Sequence, residues 1–175
     1  MSNEAIRLVR LRADQIDTLE TLWLTLHRHH QRVGADLAPY VDEAQSWQQR
    51  RKFYRDCFAE PRSFCCGAYA GDSLVGYALV RVERASSMWT DTWVTDATTA
   101  EIESLVVDPA FRGKGIGTRL MDAVDEELAA LGITDVIVGA LPGNSNVLEI
   151  YRRRGFAPTW LIMTRFAARK KEPGL

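Results

Sequence analysis

Apolar and basic positions alternate at the start of the chain, with Ile6, Leu8 and Leu11 set against Arg7, Arg10 and Arg12, and this predicts an amphipathic first strand. Asp14 then reads as a helix N-cap with Asp17 three residues on, opening a helix whose inner stripe is Ile16, Leu19, Leu22, Trp23 and Leu26. Gly34 and Pro39 break it, and a linker from about Val33 to Asp42 leads into a second helix over Glu43 to Phe58. Trp47, Phe53, Cys57 and Phe58 are its packing positions, the run Gln48 to Lys52 its solvated face, and Pro61 its end. Ser63–Ala70 and Leu74–Val82 form a hairpin around Gly71-Asp72-Ser73. Arg84 to Thr99 reads as a strand continuation plus a surface loop. Its Trp89 and Trp93 pack on a partner chain, cover an acceptor or anchor the core.

The pattern is sharpest between Glu101 and Leu131. A β-rich run (Ile102, Leu105, Val106, Val107) passes through Asp108-Pro109 into Arg112-Gly113-Lys114-Gly115-Ile116-Gly117. Helical spacing follows at Leu120, Met121, Val124, Leu128 and Leu131, so the stretch reads as strand, glycine loop, helix. A loop of this kind leaves backbone N–H groups unpaired at the positive end of a helix dipole, which suits a phosphate or diphosphate. Gly132 stops the helix, Ile133 to Ala140 is apolar enough for a central strand, and Leu141 to Ser145 forms a turn. A short helix through Val147, Leu148 and Tyr151 ends before Gly155-Phe156. The last strand is Thr159 to Phe166, and the tail Arg169 to Leu175 frays.

Composition narrows the class. The 175 residues suit one compact domain, and 22 Lys plus Arg against 23 Asp plus Glu exclude a generally nucleic-acid-binding surface. Cys57, Cys65 and Cys66 are odd in number and lack metal spacing, so they read as free, buried thiols of a reducing compartment. Met1-Ser2-Asn3-Glu4 lacks the features of a signal peptide and no run is long enough to span a membrane; the expected location is cytoplasmic. His27 and His30 could share a helix face, but no carboxylate or cysteine stands at ligand spacing, so no metal site is expected.

Two motifs resemble a known family. Arg112, Gly115 and Gly117, after a strand and before a helix, match the central signature of the GCN5-related N-acetyltransferase superfamily. Asn144, Val147, Tyr151, Gly155 and Phe156 match its later motif. The likeness covers about residues 5 to 166. It implies an α/β fold built on a mixed, mostly antiparallel twisted sheet of six to seven strands with about four helices, whose parallel central strands splay. The whole chain, residues 1–175, would form a single N-acetyltransferase domain.

The resemblance also implies an activity: acetyl transfer from acetyl-coenzyme A to a primary amine by direct attack in a ternary complex, without a metal. The backbone of Gly113, Lys114, Gly115, Ile116, Gly117 and Thr118 would cradle the diphosphate, with Arg112 adding charge. Leu105, Val106 and Val107 would hold the pantetheine arm, an N–H near Val106 would polarise the carbonyl, and Asn144 would contact the cofactor or cap its helix. Tyr151 would protonate the leaving sulfur. Glu103 or Glu101, two apart on one strand face, would take the amine proton. The acceptor would be a small cationic amine, an amino acid or a protein N-terminus, bounded by the first two helices, their linker and Trp89 to Thr99. Nucleic-acid and membrane partners are not expected; a homodimer is. A coenzyme A-binding regulatory module without turnover is the alternative.

Overall fold

The computed structural model describes residues 5–34 and 38–167, with main chain only at Ser87 and Met88. Its strands are β1 (Ile6–Leu11), β2 (Phe64–Ala70), β3 (Ser73–Arg84), β4 (Thr98–Val107) and β5 (Val136–Val138). The helices are α1 (Glu20–Val33), α2 (Glu43–Ala59), a single turn α3 (Ser87–Thr90), α4 (Ile116–Ala130) and α5 (Ser145–Arg153). The strands form one sheet in the order β1-β2-β3-β4-β5, antiparallel throughout except for the parallel β4–β5 pair.

Alternation on the central strands divides the core in two. Ala78, Val80 and Val82 of β3 face α4, whose Ile116, Leu120, Val124 and Leu128 recur every fourth residue and are buried against the sheet. Tyr77 and Leu79 face the other way, onto Leu19, Leu22, Trp23, Trp47 and Tyr54 of the α1–α2 layer. Cys65 and Cys66 are adjacent on β2 and fall into opposite layers; with Cys57 they are buried free thiols.

The outline agrees with the sequence reading, and the departures have local causes. The chain enters α1 through a 3-10 segment, Ala13–Leu19, capped at Arg12 rather than Asp14. The Arg12 N–H donates to Gln15 Oε1 (3.0 Å), while Asp14 pairs with the Arg12 side chain. The sheet has five strands among the described residues, not six or seven. Thr159 to Phe166 takes no regular structure: β5 offers only a three-residue edge, and among the described residues no strand pairs with the segment. Its Trp160, Leu161, Ile162 and Met163 are exposed. The expected Ile133–Ala140 strand shrinks to Val136–Val138 for the same reason that makes the site: β4 and β5 part company. Residues 35–37 of the linker, Met1 to Glu4, and the tail 169–175 lie outside the described residues.

Candidate active site

The parallel pairing of β4 with β5 covers Ala100, Glu101 and Ile102 and then stops. From Ser104 to Val107, β4 keeps its ladder with β3 and has no partner on the β5 side among the described residues. Asp108 N donates to Val75 O (2.9 Å), so antiparallel alternation turns the main chain of Val106 into the β3 ladder and that of Leu105 and Val107 toward the open edge. The splayed central strands expected from the sequence are therefore present, with Leu105 and Val107, not Val106, presenting their amides.

The glycine loop closes one end of this gap. Gly113 and Gly115 adopt φ +73° and +75°, and Gly115 is the N-cap of α4. A Cβ at either would meet nothing within 4 Å, so the backbone angle and the open space around it, rather than packing, call for glycine. The N–H groups of Gly113 through Thr118 donate to none of the described residues, and the first main-chain bond into the helix is Arg119 N to Gly115 O (3.0 Å). They converge where the α4 dipole is positive, and an anion would satisfy them. Arg112 is anchored by its Nε to Val107 O (3.1 Å), and the Lys114 ammonium lies 4.8 Å from the Phe111 ring centroid.

Glu103 owes its position to a β-bulge. Leu79 pairs with Ser104 and Val80 with Ile102, leaving Glu103 as the extra residue on β4. The carbonyl freed by the bulge accepts from Ser104 Oγ (2.7 Å), which bonds Tyr54 OH (2.6 Å), which bonds Tyr77 OH (2.8 Å). This buried hydroxyl chain ties α2 to β3 and to the bulge. The Glu103 side chain, 12% exposed, accepts from Arg81 Nε (2.7 Å), and the same guanidinium holds Glu101 (3.0 Å) and Glu83 (2.8 Å). Burial raises the Glu103 pKa above its ordinary range, nearby Glu101 adds to the rise, and Arg81 opposes it.

Tyr151 lies on the opposite face. It is buried in the α4 layer beside Phe156, with ring centroids 5.6 Å apart, and burial pushes its phenol up to about 12. Its helix is stapled to α4 by Arg154, which donates to Asp125 (2.7 Å), to Thr118 O (3.0 Å) and to Asp122. The basic turn after Tyr151 thus fixes α5 against the glycine loop. Asn144 stands at the N-cap of α5 and makes no side-chain capping bond.

A cavity of about 330 Å³ opens on the α1–α2 face beside Glu103, lined by Trp23, Ser46, Gln49, Arg50 and Phe53. A similar hollow of about 350 Å³ by β1 and the far end of α4 adjoins none of the predicted site residues. Trp89 and Trp93 stack on each other (5.3 Å) and meet Trp160 (6.5 and 5.7 Å); they do not line the site cavity. His27 bonds Val41 O (3.1 Å) and lies against the Tyr40 ring, so it braces the linker; no metal-binding group occurs among the described residues. Sequence reasoning missed Arg50, which the charge run Gln48 to Lys52 disguised as solvated surface.

A family model, that of the acetyltransferase (GNAT) family, matches residues 19–156. This chain belongs to the acetyltransferase (GNAT) family. Among GNAT relatives, a mycothiol acetyltransferase of Propionibacterium freudenreichii is 28% identical over 155 residues, 88% of this chain and 44% of that protein. The N-alpha-acetyltransferase RimI of Mycobacterium tuberculosis is 33% identical over 99 residues, 56% of this chain and 54% of its own length. The chain therefore spans less than half of the mycothiol acetyltransferase it matches. The GNAT fold recurs in a protein from Ralstonia eutropha JMP134 (TM-score 0.71, 20% identity, 93% of this chain and 99% of that one). It recurs also in an aminoglycoside N-acetyltransferase solved with CoA (TM-score 0.69, 14% identity, 95% and 97%).

Proposed function

We propose that this chain transfers an acetyl group from acetyl-coenzyme A to a primary amine by direct attack in a ternary complex, within a single domain whose core runs from about residue 5 to 166. The observation that carries the reading is the gap left when β4 parts from β5 after Ile102, bounded at one end by the unmatched amides of Gly113 to Thr118. The family match and the relatives named as N-acetyltransferases support an amine acceptor and a coenzyme A donor.

Each step has a residue suited to it. The loop amides and the α4 dipole bind the donor diphosphate, with Arg112 and Lys114 adding charge and Asn144 lying at the neighbouring turn. The amides of Leu105 and Val107 face the pantetheine arm and the thioester carbonyl, where a fixed donor stabilises developing negative charge. The amine enters from the α1–α2 face, and Glu103 accepts its proton; Glu101 shares Arg81 with it and holds the incoming ammonium electrostatically. As the new N–C bond forms and the C–S bond breaks, Tyr151 donates its phenol proton to the departing sulfur on the α4 face. Its raised pKa keeps it protonated at neutral pH.

The test is a panel of primary amines scored by thiol release with acetyl-coenzyme A, run on the wild type, E103Q, E101Q and Y151F. Amine-dependent release that falls in E103Q and Y151F supports the reading. Donor binding without release for any amine would reduce the protein to a coenzyme A-binding module.

A further inference from the structure

Arg50 differs from the neighbouring arginines that pair with carboxylates. Arg51 beside it is paired with Asp17, Arg28 with Glu43, and Arg81 with three carboxylates. Arg50 makes no hydrogen bond or ion pair with any described residue. Its guanidinium instead lies over the Trp23 indole, 3.9 Å from the ring centroid, with Phe53 at 5.2 Å and Tyr54 at 5.5 Å. A guanidinium stacked this way is held flat by cation–π attraction while its N–H edge stays open. Arg50 lines the same cavity as Glu103.

Glu103 does not neutralise Arg50, because the bulge commits it to Arg81. Three carboxylates against one guanidinium leave the Glu83–Glu101–Glu103 cluster with a formal charge of −2, while Arg50 supplies +1 to the cavity that Glu103 also lines. The two opposite charges make no ion pair with each other and line one space of about 330 Å³, at the small end of ligand pockets. The complementary ligand is small and carries both signs, an ammonium toward Glu103 and a carboxylate toward Arg50, with apolar stem atoms against Trp23 and Phe53.

We infer that the acceptor is a carboxylate-bearing amine of free amino-acid size, and that Arg50 is the residue that binds its carboxylate. This deepens the transferase reading and rests on it. The fork of a guanidinium matches a carboxylate by two parallel charge-assisted hydrogen bonds, which a neutral amide cannot reproduce.

Matched acceptors decide the point: an amino acid, its C-terminal amide and the corresponding decarboxylated amine, each assayed by thiol release with wild type, R50M and R50K. The expected wild-type kcat/KM for the acid exceeds that for the other two by at least about tenfold. R50M should raise KM for the acid about ten- to a hundredfold with kcat little changed, leave KM for the amide close to its wild-type value, and keep wild-type donor affinity, while the lost stack on Trp23 lowers the melting temperature by a few degrees. R50K should recover part of the loss, since it keeps the charge and loses the fork. Amides or decarboxylated amines used as well as the acid by the wild type would overturn the inference and leave the transferase reading standing. So would an R50M defect equal for acid and amide, which would make the stack on Trp23 purely structural. A donor that binds but releases no thiol with any amine would end both readings.

Discussion

Replacing Gly115 by alanine isolates what the glycine loop does, because the site offers no steric confusion. A Cβ there meets nothing within 4 Å, so the folded protein bears only the cost of an L-residue at φ +75°, about 1–2 kcal/mol. For a chain of this length that corresponds to a fall in melting temperature of roughly 2–8 °C. Gly132 supplies the matched control: φ +66°, equally open surroundings, and a place beyond the far end of α4, about 25 Å along the helix from Gly115. G132A should lose the same stability and leave donor affinity untouched. G115A should in addition weaken coenzyme A binding by at least about tenfold, because its methyl occupies the space into which the loop amides point and loosens charge-assisted bonds worth about 1.5–3 kcal/mol each. Titration calorimetry with coenzyme A and with a pantetheine fragment lacking the diphosphate reads this directly, the loss being confined to the complete cofactor. Equal coenzyme A affinities in G115A and G132A would refute the cradle, whatever the melting curves showed.

Further outcomes follow from the same geometry. E103Q should lower kcat by about 10²-fold or more, and the wild-type rate should rise with pH through a midpoint above the ordinary carboxylate value, since burial raises the Glu103 pKa and only the ionised form accepts a proton; a midpoint at or below about 4.3 would contradict the assignment. Y151F should slow thiol release at every pH below about 12 without altering coenzyme A affinity, and an unchanged rate would remove Tyr151 from the chemistry. Y54F cuts the hydroxyl chain at its middle and should cost about 1–3 kcal/mol by urea denaturation, with a lower kcat because the bulge carbonyl loses its backing; a neutral effect would mean that the chain does not hold the bulge. His30 has its pKa depressed from 6.5 to about 4, chiefly by burial, so the folded state disfavours a proton that the unfolded chain accepts. Its contribution is complete above pH 6.5 and fades as pH falls toward 4, by about 2 kcal/mol after allowance for partial exposure, and H30Q should flatten that slope in pH-dependent melting.

What the sequence made legible was local. Ile6–Leu11 forms the strand that its alternation predicts, and α4 begins at Ile116, directly after the glycines that mark its start. In both cases neighbouring residues carry the whole signal. Arg50 was illegible because its place depends on Trp23, twenty-seven positions earlier, and a charged run looks the same whether it faces water or an indole. The Glu103 bulge leaves no trace in composition, since an inserted glutamate in a β-rich run breaks no rule until β3 is laid beside it. Thr159 to Phe166 errs the other way: its residues favour a strand, but a strand needs an edge, and β5 supplies only three residues of one.

Reading β4 with Glu103 struck out gives Ala100, Glu101, Ile102, Ser104, Leu105, Val106, Val107, an unbroken two-beat rhythm in which Ala100, Ile102, Leu105 and Val107 all turn toward α4 and the rest turn away. The glutamate is an interpolated letter: the sheet would spell correctly without it. A variant lacking that single residue should still fold, with the strand closing up over the vacancy and Arg81 losing its nearest carboxylate. On the proposed mechanism, architecture and reactivity are thereby written on separate residues of one short strand, so the chemistry can be excised while its frame is left standing.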